Sequence, residues 1–262
     1  MAAKSSSVPA ARNTLELLQA LAREAGPVPA ATLARNVGLP RSTTYHLLAE
    51  LERAGFVVHL PEQRRWGLGV SAFELGSAYS RQAPLTRIAA PALARLVDSL
   101  GQSAHLAVLH GREVLYVIEE RAPGRPPLVT DVGVRLPAQL TASGRALLAD
   151  LPGPQVRALF PDSTAFVERH GLGPRSLSTL RRLLVDVRRR GYAVEEGEIT
   201  PGFASVAVSV PDHTGYPVAA VAVTFEDTQL DEEGRAHAAK QAARVADNLS
   251  ARIGGSGRTP RS

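Results

Sequence analysis

The chain of 262 residues contains no cysteine, which excludes disulfide frameworks, thiolate metal centres, iron–sulfur clusters and cysteine nucleophiles; its length suits two ordinary domains. Lys4 and Lys240 are the only lysines among 30 basic residues, and against 25 acids the net charge is +5, a diffuse surplus that identifies no partner by itself. The first residues hold no apolar targeting core and no run approaches the roughly 18 apolar residues of a membrane span, so a soluble, cytoplasmic protein without membrane contact is expected.

Residues 1–11 read as a disordered N-terminus. Apolar residues at helical spacing (Leu15, Leu17, Leu18, Leu21) predict a helix over 13–25, stopped by Gly26-Pro27. Two shorter helices follow, 29–37 ending at Gly38 and 40–54 ending at Gly55. Residues 56–58 and 65–68, separated by the polar turn 61–64, predict a hairpin. These elements delimit a first domain at 12–70. Residues 71–82 read as a connector helix, with a boundary at 83. The second domain, 84–252, opens with a helix to Leu100 and then changes period. Strands are expected at 105–109, 113–119 and 128–132, helices at 142–150 and 176–190, strands at 206–210 and 218–225, and a last helix at 230–253 before a flexible tail, 253–262. The expected fold class is α+β: a winged helix-turn-helix domain, a connector helix and an α/β domain whose sheet is mainly antiparallel.

Residues 30–66 carry the first chemically informative pattern. Two helices that cross steeply need a small residue in the first and a turn position that tolerates positive φ; Ala34 and Gly38 supply both. Thr44, Leu47, Leu48 and Leu51 form one face of the third helix. Ser42, Tyr45, His46 and Ala49 lie on the other. With Arg41, Ser42 and Thr43 in its first turn, this helix offers a guanidinium, hydroxyls and backbone N–H groups where a recognition helix meets DNA. Arg53 lies near its end, and Arg64 and Arg65 sit in the hairpin, where a wing reaches a flanking phosphate. A three-helix protein-interaction module with solvated arginines is the competing interpretation. For Tyr45, a partly buried aromatic is the alternative.

The stretch LARNVGLPRSTTYHLLAELERAGFVV followed by RRWGLG resembles the winged helix of the IclR family of bacterial transcriptional regulators. The resemblance continues through AHLAVLHGREVLYVIEE, LPAQLTASGRALLA, VRRRGYAVEEGEITPGFASVAVSV and HTGYPVAAVAVTF, covering roughly residues 12–250. His46 departs from the arginine usual in the family's recognition stretch. The resemblance implies a GAF-like effector-binding domain, dimers through the winged helices and tetramers through the sensor domains.

Thr141, Ala142, Ser143 and Gly144 begin a helix, and the N–H groups and dipole at such a start favour a carboxylate. Thr141 as a simple N-cap is the competing interpretation. The resemblance implies that this loop helps bind small acids, and it adds three positions: Glu195 where an aspartate is usual, Ser205 where a cysteine is frequent, and Thr224 at a serine-or-threonine position. Ala222 lacks a hydroxyl at another. These substitutions point to a ligand different from small ketoacids: an organic acid, aromatic or nitrogen-containing, whose carboxylate faces Thr141 to Gly144 and whose far end meets Glu195. Glu195 as a surface acid within the run Glu195, Glu196, Glu198 is the alternative.

No catalytic constellation, P-loop, dinucleotide fingerprint, metal-ligand spacing or cofactor motif is present. His105 and His110 lie on opposite faces of a strand and read as structural. The run Arg188, Arg189 and Arg190 suits either a phosphate or the C-terminus of a helix before Gly191. The expected protein is a ligand-responsive regulator, with repression the favoured direction, of a bacterial catabolic or metabolic operon. Its expected partners are a pseudo-palindromic double-stranded DNA operator, a small organic acid and further copies of itself as a homodimer or dimer of dimers. An enzyme acting on a small acid with an accessory winged helix, and a regulator controlled by a protein partner, are the alternatives.

Overall fold

The computed structural model describes residues 8–82, 84–125 and 128–253, and the chain divides into two compact units, residues 1–82 and 83–262. The first unit contains α1 (Pro9–Ala22), α2 (Ala30–Val37), α3 (Arg41–Arg53), β1 (Val57–Leu60), β2 (Arg65–Leu68) and α4 (Val70–Gln82). Helix α1 begins at Pro9, so residues 9–11 are helical where disorder is expected: proline's fixed φ and missing N–H suit a first helical turn. Residues 1–7 lie outside the described residues. So does the expected tail beyond Ile253.

The turn after α2 is built as its composition requires. Gly38 adopts φ +73° and closes α2, returning its N–H to the helix's last carbonyls. The helices bury Leu17, Leu21, Leu33, Leu48 and Leu51 against Val57 and Trp66 of the hairpin. At roughly 1.5–3 kcal/mol for each buried large apolar side chain, this small core depends on every member. Strands β1 and β2 pair antiparallel from Val57 opposite Leu68 to Leu60 opposite Arg65. Val28 forms a further rung, exchanging backbone hydrogen bonds of 2.9 and 2.8 Å with Trp66. This rung ties the wing to the loop between α1 and α2.

The second unit contains α5 (Pro84–Leu100), β3 (Ser103–His110), β4 (Glu113–Glu120), β5 (Arg135–Pro137), α6 (Ala142–Asp150), α7 (Gly153–Leu159), α8 (Leu177–Arg190), β6 (Ala193–Glu196), β7 (Phe203–Pro211), β8 (Pro217–Glu226) and α9 (Glu232–Arg252). Its antiparallel sheet has six strands in the order β5-β4-β3-β8-β7-β6. One face packs Leu106, Val206, Val208, Val221 and Val223 against α5 and α9. The other packs Ala107, Val114, Tyr116, Ala207, Ala220 and Ala222 against α6 and α8. The small side chains on this second face leave room between sheet and helix.

A bulge in β4 sets which residues enter that space. Leu106 opposes Ile118, whereas Ala107 opposes Tyr116, leaving Val117 as the extra residue. Tyr116 and Ile118, two apart, therefore face opposite sides of the sheet.

The strand expected at 128–132 does not form. Asp131 Oδ1 accepts from the Val132 N–H at 2.7 Å, Val134 N–H donates to the Asp131 carbonyl, and Gly133 turns the chain at φ +87°. This local turn outcompetes sheet pairing, and the edge strand is delayed to Arg135–Pro137. Helix α7 and strand β6 are additions to the expected elements. The two adjacent glutamates of β6 obscure its alternation in the sequence.

Candidate functional site

In the first unit, α3 presents one coherent exposed surface. Thr44 is fully buried and its hydroxyl donates to the Pro40 carbonyl at 3.1 Å, while Leu48 and Leu51 anchor the inner face. Arg41, Ser42, Tyr45, His46 and Ala49 are exposed and Thr43 is half-buried. Tyr45 is 53% exposed, so it is not a partly buried core aromatic. Pro40 precedes α3 without a side-chain cap, and the N–H groups of the first turn have no intrahelical acceptors. Beside it, Arg64 occupies the left-handed region at φ 51°, ending the wing turn.

The remaining cations are less free. Arg65 donates to the Pro27 carbonyl at 3.0 Å, and Arg53 pairs with Glu50 one turn earlier. Either side chain would have to exchange these partners to meet a phosphate.

In the second unit, a pocket lies at the start of α6, with about 400 Å³ of empty space when the open solvent at its mouth is included. Thr141, Ala142, Ser143, Glu195, Ser205, Ala222 and Thr224 line it together with Tyr116, Leu128, Val129, Thr130, Ile199, Thr200 and Phe203. The candidate residues, distant in sequence, are brought together by the register: Glu195 opposes Ser205, Ser205 opposes Thr224, and Ala222 opposes His105. Gly144 belongs elsewhere. A Cβ there would fall 2.2 Å from the Ala138 carbonyl oxygen, so its missing side chain permits contact with the Ala138 backbone and not with the cavity.

Thr141 is both N-cap and cavity wall: its hydroxyl accepts from the Gly144 N–H at 3.0 Å. The N–H groups of Ala142 and Ser143, in the first turn, have no acceptor within the helix. The Ser143 hydroxyl is buried with no hydrogen bond of ordinary geometry, although the Tyr116 phenol lies near enough to interact with it. Such a group costs about 1–3 kcal/mol when left unpaired. Across the cavity, the Ser205 and Thr224 hydroxyls bond to each other at 2.9 Å.

Glu195 is only 4% exposed, which removes the surface-acid alternative. Its Oε1 accepts from the Ile199 N–H at 3.0 Å. Burial pushes its carboxyl up to about 7, against the lowering influence of that hydrogen bond, with Glu198 raising it further and Arg145 opposing. Arg145 itself is buried and fully committed. It donates to the carbonyls of Gln139 at 2.9 Å and Val194 at 2.6 Å and to Glu198 Oε1 at 2.5 Å. It thus clamps α6 to β6, which carries Glu195, and to the turn that follows.

His105 completes the surroundings. It is buried edge-on to Tyr116 with Nε2 3.4 Å from Thr130 Oγ1, and burial lowers its pKa to about 4, so it is neutral at ordinary pH. Tyr116 is likewise held neutral, burial raising its phenol well above the usual value. Sequence reasoning missed Tyr116 because the bulge that aims it has no signature in the residues. It missed residues 128–130 because they were expected in a strand. The arginine run near Gly191 ends α8 as a helix terminus: Arg188 donates to the Ala149 carbonyl, Arg189 pairs with Asp186, and Arg190 stacks over Tyr192.

Residues 10–61 match the IclR helix-turn-helix domain and residues 77–251 match the bacterial transcriptional regulator IclR C-terminal domain. The HTH-type transcriptional repressor AllR of Klebsiella pneumoniae is 26% identical over 247 residues, 92% of this chain and 88% of that protein. The transcriptional repressor IclR of Escherichia coli K12 is 28% identical over 227 residues, 84% of this chain and 80% of that protein. The crystal structure of an IclR transcriptional regulator from Alicyclobacillus acidocaldarius superposes with a TM-score of 0.84 at 25% identity, covering 95% of this chain and 100% of that one. An IclR homolog from Microbacterium hydrocarbonoxydans, crystallised with 4-hydroxybenzoate, shares the fold at a TM-score of 0.77 and 22% identity, covering 93% and 98%. The family's members are transcriptional regulators and not enzymes, which sets aside a catalytic role for the second unit. The chain belongs to the IclR family of DNA-binding bacterial transcriptional regulators.

Proposed function

We propose that this regulator represses a catabolic or metabolic operon and is switched by a small organic acid held in the cavity at the start of α6. The observation that carries the effector reading is the buried Ser143 hydroxyl, which has only the neighbouring Tyr116 phenol to turn to, on the wall of that cavity beside the first N–H groups of a helix. A carboxylate there gains hydrogen bonds that the empty protein leaves unmade. The 4-hydroxybenzoate of the Microbacterium hydrocarbonoxydans homolog supports a compact acid as the ligand class.

On DNA, α3 enters the major groove with Arg41, Ser42, Thr43, Tyr45 and His46 facing the duplex. Arg64 and Arg65 follow the wing to a flanking phosphate, and Arg53 contributes once it releases Glu50. A single winged helix covers little DNA, so two copies reading a pseudo-palindrome supply the affinity. Val70, Phe73 and Leu75 of α4, exposed at 67%, 74% and 62%, support burial of that helix by a second copy. A dimer of dimers through the effector domains is the larger assembly proposed.

An effector acts only through unequal affinity for the DNA-competent and DNA-incompetent arrangements. Titrating DNA from upstream of the protein's own gene, with and without candidate acids, tests the proposal. Specific binding released by an acid supports it; specific binding that answers only to a protein in lysate favours control by a protein partner.

A further inference from the structure

Among the described residues, the walls of the cavity carry one acid, Glu195, and no lysine, arginine or histidine. Arg145 spends its guanidinium on two carbonyls and Glu198. His105, from β3, is turned to Thr130 and is neutral. Tyr116, from β4, contributes a neutral phenol. Glu198, on the turn that follows β6, is a second acid and is paired with Arg145. The elements around the cavity therefore supply hydroxyls and helix N–H groups at the α6 end and, at the β6 end, a buried carboxyl that takes hydrogen bonds from the Ile199 N–H and the Ser205 hydroxyl but pairs with no cation among the described residues.

A simple carboxylic acid fits the first end and meets repulsion at the second. Two carboxylates brought together in one pocket, one of them buried, disfavour each other, and the conflict is relieved when either takes up a proton. A ligand with a protonated nitrogen at its far end meets no such conflict. Its cation pairs with Glu195 while its carboxylate takes the first-turn N–H groups of α6 and the Ser143 hydroxyl. We propose that the effector is a zwitterion, a compact amino carboxylate whose protonated nitrogen is recognised by Glu195. The proposal rests on the cavity being the effector site.

The two possibilities have opposite pH dependence. Pairing with a cationic nitrogen requires ionised Glu195, so affinity rises from pH 6 to pH 8, towards tenfold per pH unit below the carboxyl's own titration. Binding a carboxylate without such a nitrogen requires protonated Glu195, so its affinity falls over the same interval.

The test uses the full-length protein and matched probes: 4-(aminomethyl)benzoate against 4-(hydroxymethyl)benzoate, and 4-aminobutyrate against 4-hydroxybutyrate. They are joined by a wider panel of small carboxylates with and without a primary amine, ranked by thermal shift and measured by calorimetry at pH 6 and pH 8. The expected result is that amino carboxylates head the ranking and exceed their hydroxyl partners by about tenfold or more at pH 8. In E195Q that preference disappears. Nitrogen-free carboxylates heading the ranking, with affinity that falls as pH rises or survives unchanged in E195Q, overturn the zwitterion while keeping the cavity as the effector site. Silence from the whole panel, or binding undiminished by Ala222→Leu, whose longer side chain fills the cavity, overturns the site and the zwitterion together.

Discussion

Glu195→Gln tests the electrostatics of the cavity without any ligand. In the folded protein its carboxyl titrates at about 7, against an ordinary value of 4.5. At 1.36 kcal/mol per pH unit, that interval is worth about 3 kcal/mol. The sign follows from proton counting. Below pH 4.5 the group is protonated in folded and unfolded chains alike and costs nothing. Between 4.5 and 7 the unfolded chain releases the proton while the folded chain keeps it, so stability declines as pH rises. Above 7 the penalty is complete and constant. The glutamine variant lacks this titration, and its side-chain oxygen still accepts the Ile199 N–H. Its advantage over wild type should therefore grow from pH 5 to pH 7 and level off at about 2–3 kcal/mol, roughly 5–10 °C in the melting of the second unit. Calorimetry at several pH values is the appropriate assay. Trp66 is the only tryptophan and belongs to the first unit, so its fluorescence does not report the unit that matters, and two units need not melt together. Wild-type and variant melting curves that stay parallel between pH 5 and pH 8 would falsify the assignment of Glu195 as a buried, proton-retaining carboxyl.

Three further substitutions separate structural from functional roles. Arg41→Ala should weaken binding to operator DNA and reduce the slope of log affinity against log salt by about one, as expected for one lost phosphate contact; an unchanged slope in fluorescence anisotropy removes Arg41 from the interface. Gly144→Ala should destabilise the second unit by about 3 kcal/mol or more, since the new methyl meets backbone and not a yielding side chain, and normal melting would show that the contact with Ala138 is looser than described. Arg145→Met should cost about 3–5 kcal/mol by stranding Glu198 and leaving two carbonyls without their donor; a loss below 1 kcal/mol in urea denaturation would contradict the clamp.

The DNA-reading unit was legible because its determinants are local. Gly38, the 3.6-residue spacing of Thr44, Leu48 and Leu51, and the arginines of the wing all act within a few residues of their own backbone. Val28 pairing with Trp66 was not legible, because one bridge residue has no periodicity. In the second unit, helices with capping residues such as Thr141 and Ser176 were readable, as were β7 and β8, whose apolar runs are long. The cavity was legible only in part. Thr141, Ala142 and Ser143 were legible as a helix start, and Glu195, Ser205, Ala222 and Thr224 by resemblance, but the burial of Glu195 comes from packing with elements distant in sequence, and the aim of Tyr116 depends on an extra residue in β4. The loop at 128–130 was misread because Asp131 and Gly133 build a turn whose strength the apolar run conceals. Gly144 was assigned the wrong neighbour, since a sequence shows that a glycine allows close approach but not what approaches.

On the proposed function, one unit reads DNA and the other changes that reading when its cavity fills. The measurement that tests it most directly is fluorescence anisotropy of labelled DNA from upstream of the protein's own gene, titrated with full-length protein in the presence and absence of the best cavity ligand. Binding should exceed that of unrelated DNA of equal length by at least about 1,000-fold, with a ligand-dependent shift that Ala222→Leu abolishes. Equal affinity for both DNAs, or a ligand shift that persists when the cavity is filled, would contradict it.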